Sequence, residues 1–332
     1  MTNINVPDIV SISQMSRVVA DIKARADVTR TEVVTGRYAD ITAATNGDVG
    51  SAHLLQKAIS DVQDYQSNLS LGNNRATRTQ TVLSQLSGES NRIATEALAA
   101  YGRSDDTQLQ TNALDATTTI FTIFASLNTT DGGRSLFGGD VTDRAPLAAP
   151  EEFLADIKAI MASATDAADA EAQLDTYFND PAGGFNQSIY RGGENKSSSI
   201  EIAPGIRLDV SAKADAQPIK DLLRGLAEIA TFQDANFAGA EDLASTGANR
   251  ALSADTSLTE LRAAIGVGES RIANAIERYA DEEAVLTTLF NEKTARDPFE
   301  ATSELQQLEA QLEASYLLTS RLSRLTIADY LR

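Results

Sequence analysis

Cysteine and tryptophan are both absent from this chain of 332 residues. Without cysteine there is no disulfide and no thiolate, so redox chemistry gives no reading of the compartment. Aromatics are only 5% of the residues, so a core must be built mainly from Ala, Leu, Ile and Val, which suits helix–helix seams. The one histidine, His53, rules out metal motifs built on paired histidines. Basic charge is also scarce. The formal net charge is −19 and the isoelectric point near 4.4, which argues against nucleic acid and against an anionic membrane surface as partners. No apolar run approaches the ~20 residues needed to span a bilayer. The opening MTNINVPDIVSISQ has no basic start and no uninterrupted apolar core, so a cleavable signal peptide is not expected.

Proline is missing from two long stretches, between Asp8 and Ala145 and between Ile219 and Asp297. Pro146, Pro150, Pro181 and Pro204 fall instead in a central segment, with glycine pairs at 132–133, 138–139, 183–184 and 192–193. Prolines break helices and glycine pairs mark turns, so the outer parts should be helical and the middle turn-rich.

What is present agrees. Ile12, Met15, Val19, Ile22, Ala26, Thr29 and Val33 recur three and four residues apart, which is a heptad seam. The same alternation runs through Leu55, Ala58, Val62, Tyr65, Leu69, Gly72, Ala76, Thr79, Leu83, Leu86, Ser90, Ile93 and Ala97. It predicts a helix over 51–98, about 70 Å long at 1.5 Å per residue. A shorter stripe follows at Leu109, Ala113, Ala116, Ile120, Ile123 and Leu127. Beyond the middle, Leu258, Leu261, Ile265, Gly268, Ile272, Ala275, Tyr279, Leu286 and Leu289 hold a matching register, interrupted by Glu282. The last stripe is Leu305, Leu308, Leu312, Leu318, Leu322 and Leu325.

The expected fold is therefore mainly α: a long antiparallel helical bundle or coiled coil formed by the N- and C-terminal regions, with a small α+β domain inserted between them. The expected divisions are terminal helices at 1–40 and 298–332, two halves of a helical rod at 41–131 and 216–297, and the insert at 132–215. Within the insert, 153–161 and 167–178 read as short helices. Residues 198–202 and 206–211 read as strands joined by Ala203-Pro204-Gly205. Residues 217–232 read as helix and 31–50 as a turn-rich loop.

No catalytic pattern survives a check of its chemistry. Gly133-Arg-Ser-Leu-Phe-Gly138 has the gap of a phosphate loop, but Gly139-Asp140 stands where Lys and Ser or Thr are required, so it reads as a tight turn. Gly266-Val-Gly-Glu-Ser-Arg271 lacks the third glycine of a dinucleotide fingerprint and lies in a heptad helix. Acids such as Asp105-Asp106, Asp281-Glu282-Glu283 and Glu300/Glu304 belong to solvated helix faces rather than to the paired carboxylates of a glycosidase. Asn195-Lys-Ser197 fits a glycosylation sequon of a kind common by chance. The expectation is no enzyme, with no catalytic, cofactor or metal residue.

Several local motifs in their order along the chain carry a resemblance. Glu32-Val-Val-Thr-Gly-Arg-Tyr38 follows the first helix, and Tyr65-Gln-Ser-Asn68 sits on the second. Gly133-Arg-Ser-Leu-Phe-Gly-Gly139 closes the helical arm and Tyr190-Arg-Gly-Gly193 precedes the strand pair. Ala310-Gln-Leu-Glu-Ala-Ser315 and Leu325-Thr-Ile-Ala-Asp-Tyr-Leu331 lie on the closing helix. Together they resemble the flagellin family and, within it, the hook-associated proteins of the hook–filament junction (the FlgL type). The loop near 40–50 lacks the Ser-Asp-Asp-Pro-Ala run common in that family.

The resemblance implies a structural part of the bacterial flagellum, exported without a cleavable signal and assembled outside the cell. Its implied partners are other copies of the chain, a hook-associated protein on the hook side and flagellin on the filament side, with an export chaperone at the C-terminal helix. The alternative is flagellin, the filament subunit itself. The expected subunit-packing seam is Ile12, Met15, Val19, Ile22, Leu305, Leu308, Leu312, Leu318, Leu322 and Leu325. Both ends are expected to be poorly buried in the isolated chain and to find their partners on assembly.

Overall fold

The computed structural model describes residues 6–44, 49–196 and 199–330, and their side chains except at 6–12, 41, 43 and 322–330. In chain order the helices are α1 (Val6–Thr35), α2 (Ile41–Ala44), α3 (Val49–Gly102), α4 (Asp106–Leu127), α5 (Pro150–Ser163), α6 (Ala167–Asn179), α7 (Gln217–Thr231), α8 (Glu241–Thr294) and α9 (Pro298–Tyr330). Two antiparallel hairpins complete the fold, β1 (Thr130–Asp131) with β2 (Arg134–Ser135) and β3 (Ile200–Ala203) with β4 (Ile206–Leu208). The chain is mainly helical, with a small α+β insert between the long helices. It divides into two compact units, one of residues 1–63 and 280–332, the other of residues 64–279.

In the 64–279 unit α3 and α8 run antiparallel. Tyr65 stacks on Tyr279 with ring centroids 5.3 Å apart. Thr77 donates to Glu269 at 3.0 Å, Gln80 donates to the Arg262 carbonyl at 2.6 Å and Tyr101 donates to Asp242 at 2.5 Å. Partner numbers thus fall on α8 as they rise on α3. Every seam position expected from Leu69 to Ala97 is buried, so the three-four alternation marks the inward face correctly.

Local chemistry sets the boundaries. Asp105 caps α4 by accepting from the Gln108 N–H at 3.0 Å, and Asp166 caps α6 by accepting from Asp169 at 2.9 Å. α5 and α7 open with a proline in the first turn, where a missing N–H costs nothing. The two expected insert helices and the expected hairpin are all present, the strands shorter than the expected 198–202 and 206–211. Ser198 lies outside the described residues. The expected tight turn near Gly133 is the β1–β2 hairpin, where Gly132 and Gly133 take φ of 58° and 76°.

Two expectations need correction. The loop expected over 31–50 begins later, because α1 continues to Thr35. Thr29 and Glu32 are buried and keep the inward face going until Gly36 ends the helix at φ 68°. Residues 45–48 of that loop lie outside the described residues. Second, α8 starts at Glu241, well before the first seam residue read at Leu258. Its opening face is Leu243 followed by Ala244, Ala248 and Ala251, alanines that give little periodic signal. They are small because α7 crosses closely here: a Cβ on Gly225 would lie 2.5 Å from the Gly247 carbonyl oxygen.

The insert is fixed by aromatics. Phe153 stands 5.2 Å from Phe124 and 5.9 Å from Phe178, and Phe178 stacks on Phe185 at 5.4 Å. The loop motifs meet as well. Gly193 donates to the Gly138 carbonyl at 2.8 Å, and Asp140 donates to the Asn195 carbonyl at 3.0 Å.

Candidate assembly interface

The interface is built from the chain's two ends, within the unit of 1–63 and 280–332. Gly36 closes α1 by donating its N–H to the Glu32 carbonyl at 2.8 Å, in the left-handed conformation that glycine adopts without a Cβ penalty. The next residues pair with the segment after α8. Tyr38 donates to the Thr294 carbonyl and Arg296 to the Gly36 carbonyl, both at 3.0 Å, as an antiparallel bridge. Asp297 then caps α9 by accepting from the Phe299 N–H at 2.8 Å, with Pro298 in the first turn. Since α1 ends and α9 begins at the same bridge, the two helices pack side by side and antiparallel.

Their shared strip is short. Ile22, Ala26 and Leu308 are buried, with Leu305 and Leu312 packed against them half-buried. Thr29 and Ala301 are buried as well. At the bridge a charged cluster takes over. Arg296 forms ion pairs with both Glu32 and Glu304 and lies over the Tyr38 ring, 5.1 Å from its centroid. Glu32 also accepts from the Ala39 N–H at 2.7 Å. Arg296 and Glu32 are only 7% and 5% exposed, so each depends on the other to stay charged out of water. Farther along, Arg25–Glu304 at 3.4 Å and Arg30–Glu309 at 3.2 Å are exposed pairs of small energetic weight.

Apolar side chains stand among charged and polar ones on the outer faces. Val18, Val28, Tyr316, Leu317 and Leu318 are all about half exposed or more, and Phe299 is 84% exposed. A groove of about 550 Å³ runs beside the helices, lined by Ala26, Leu312, Tyr316 and Leu317 with Lys23, Arg30, Glu309 and Glu313 among its charged residues.

Of the expected seam, Ile22 and Leu308 are buried in the pair, and Met15, Val19, Leu305 and Leu312 are half-buried. Leu318 is exposed at 50%. Ile12, Leu322 and Leu325 lie in α1 and α9, with side chains outside the described part. Each end supplies the other with a short buried strip, while most described positions of both helices stay exposed. Sequence reading missed Arg296 and gave Glu32 no role. The only signal was a charged residue continuing the inward positions after Thr29, and a lone arginine just before Asp297-Pro298.

Elsewhere the catalytic candidates have ordinary roles. Asp105 is a helix cap, His53 and Glu282 are exposed, and Glu304 is paired to Arg296. Among the described residues no cluster of three or more His, Asp or Glu is placed to hold a metal, and no helix is long and apolar enough to cross a membrane.

Residues 250–331 match the family of the bacterial flagellin C-terminal helical region, covering most of α8 and all of α9. This stretch is similar to the flagellin family. Among solved structures, a provisionally assigned flagellar hook-associated protein of Vibrio parahaemolyticus aligns at 15% identity and a TM-score of 0.50. The alignment covers 74% of this chain and 96% of that one. At that identity the likeness is one of fold. FlgL of Bacillus cereus aligns over 82% of this chain and 97% of its own at 13% identity, with a TM-score of 0.27 on which no argument rests. No curated protein sequence matches.

Proposed function

We propose that the chain is a structural, non-enzymatic adaptor of the bacterial flagellum that joins hook to filament and so serves motility. The observation that carries this reading is the coincidence of two things at one place. The flagellin-family stretch ends in α9, and α9 is the helix that pairs with α1 and leaves Tyr316, Leu317 and Leu318 uncovered. An apolar face of that kind on a helix pair fits burial against neighbouring subunits. Of the seam expected from the sequence, Ile22, Leu305, Leu308 and Leu312 serve the α1–α9 contact, so the proposed subunit contact falls on the outer residues Tyr316, Leu317 and Leu318 of α9. Its partners would be further copies, a hook-associated protein below and flagellin above, with an export chaperone meeting α9 before assembly outside the cell. The fold likeness to the Vibrio protein supports the same reading.

The second reading is flagellin itself, favoured by the fact that the matched family is the flagellin C-terminal region. Immunogold labelling of purified flagella separates the two. A single band at the hook–filament boundary is the expected result, and label along the whole filament would establish the filament subunit instead. Flagella without label would overturn both.

A further inference from the structure

Where α6, α7 and α8 meet, two arginines are bonded in an unusual way. The Nε–Nη2 edge of a guanidinium ordinarily faces the two oxygens of a single carboxylate. Here each edge is divided between two carboxylates. Arg224 donates from Nε to Glu228 Oε1 at 2.9 Å and from Nη2 to Glu171 Oε2 at 2.5 Å. Arg250 donates to the same two oxygens, at 3.2 Å and 2.5 Å. Glu171 of α6 and Glu228 of α7 are thereby drawn to neighbouring places on both forks. Asp175 of α6 also accepts from Arg224, at 3.0 Å and from the solvent side. α4 and α5 pack on α7 too, but bring no charged group to Glu228.

Three carboxylates therefore meet two guanidinia. Asp175 keeps its charge near water, whereas Glu228 is 0% exposed. Two carboxylates in one site do not both ionise readily, and burial disfavours the charged form further. Burial, and then the neighbouring Glu171, push Glu228 up to about 7. One atom is also left over: Glu171 Oε1 is buried and accepts no hydrogen bond. A buried acceptor without a donor is costly, and a proton held between the two carboxyls supplies the missing donor.

We propose that Glu171 and Glu228 form a proton-sharing carboxyl pair, clamped by Arg224 and Arg250, that fastens α6 to α7 and α8 while the proton is held. When the proton leaves to water, two carboxylates face each other on the same guanidinium edges. Glu228 has little room to withdraw, since a Cβ on Gly247 of α8 would lie 2.7 Å from its own Cβ. The element that yields is α6. Its attachment is firmest below about pH 4.5 and loosens as pH rises through about 7. The pair belongs to the 64–279 unit and does not depend on the assembly reading.

The test is infrared spectroscopy of the full chain across pH, reading the C=O stretch of protonated carboxyl groups in the native protein, Glu228→Gln and Glu171→Gln. Ordinary carboxyls are ionised by about pH 6. The native protein should keep a protonated carboxyl beyond that point and lose it near pH 7. Glu228→Gln should lack it, and in Glu171→Gln its midpoint should fall by about one pH unit or more, a tenfold loss of proton affinity. Amide exchange, corrected for its intrinsic pH dependence, should quicken in α6 by about tenfold over the same interval in the native protein and not in Glu228→Gln. A native protein with no protonated carboxyl above pH 6, or one that survives Glu228→Gln, overturns the pair. An unchanged midpoint in Glu171→Gln overturns the sharing, and pH-independent exchange in α6 overturns the fastening. Should Glu228→Gln fail to fold, the native profile and Glu171→Gln, at a side chain 27% exposed, decide alone.

Discussion

The two units use different means to hold helices together. In residues 64–279 the insert packs Phe124, Phe153, Tyr177, Phe178 and Phe185 against one another, and the largest side chains are fully buried. In residues 1–63 and 280–332, the α1–α9 pair buries Ile22, Ala26 and Leu308 as its core cluster among the described residues and adds the buried Arg296–Glu32 ion pair. Close-packed aromatics bury large apolar areas and specify one arrangement. A thin strip of Ile, Ala and Leu gives much less apolar burial per turn. The contrast teaches that one region is built to be stable alone, while the other keeps apolar surface in reserve.

The largest effect should come from the aromatic cluster. Phe153→Ala removes a side chain that is 0% exposed and leaves a cavity among the rings of Phe124, Tyr177 and Phe178, at a cost of about 3–5 kcal/mol. Urea unfolding followed by tyrosine fluorescence should show the 64–279 unit shifted by that amount. Leu308→Ala is the matching change in the terminal pair. Leu308 is 2% exposed, but its neighbours Leu305 and Leu312 are half-buried and free to relax, so about 2 kcal/mol is expected. Amide exchange should assign that loss to α1 and α9 alone. Equal losses in both units, or a larger one for Leu308→Ala, would erase the comparison.

The regular part of this contrast was legible in the sequence. Leu69, Leu83, Ile93 and Ile272 are buried where a three-four alternation puts them, because helix periodicity is local and repeats. What was not legible depends on residues far apart in the chain. Gly72 and Gly268 were read as small seam residues, yet a Cβ at either would lie 2.3 Å from Ile200 or Val210, which belong to the β3–β4 region. Those glycines are the seat of a hairpin, and no spacing announces that. Arg296 meets Glu32 across most of the chain's length. Arg224 and Arg250 bring together Glu171 and Glu228 from three helices. Charge pairing of this kind has no period, so composition shows the charges and not their partners.

That second buried network sharpens the comparison through pH. Glu228 on α7 is faced by Arg224 on its own helix, Arg250 on α8 and Glu171 on α6, with Asp175 on the far side of Arg224. Burial, and then the neighbouring Glu171, push Glu228 up to about 7. A carboxyl whose folded value lies above its unfolded one favours the protonated fold. Its contribution is greatest below about pH 4.5 and is lost as pH rises to about 7. The two guanidinium contacts already oppose the shift, and the net rise from 4.5 to about 7 corresponds to a loss of about 3 kcal/mol. Denaturant midpoints of the 64–279 unit, taken at intervals across that window, should decline in the native protein and stay level in Glu228→Gln. A native midpoint that rises over the same window would reverse the assignment.

The smallest effect on the free chain should come from Leu318→Asp, and it is the most telling. Leu318 is 50% exposed on α9, beyond the buried strip and far from Arg296 in sequence. A polar replacement at such a site changes folding stability by no more than about 0.5 kcal/mol. If the outer face of α9 is covered by a neighbouring subunit, however, the same carboxylate must be desolvated there without a partner, which is costly. The expected outcome is a variant with native exchange in both units that fails to incorporate into flagella and leaves cells non-motile. Phe299→Asp provides the internal control, since its 84% exposure places it at the start of α9 and off the proposed seam. Normal incorporation of Leu318→Asp would mean that the apolar surface kept in reserve by the terminal pair serves something other than assembly. Loss of incorporation in both variants would instead spread the contact over the whole of α9.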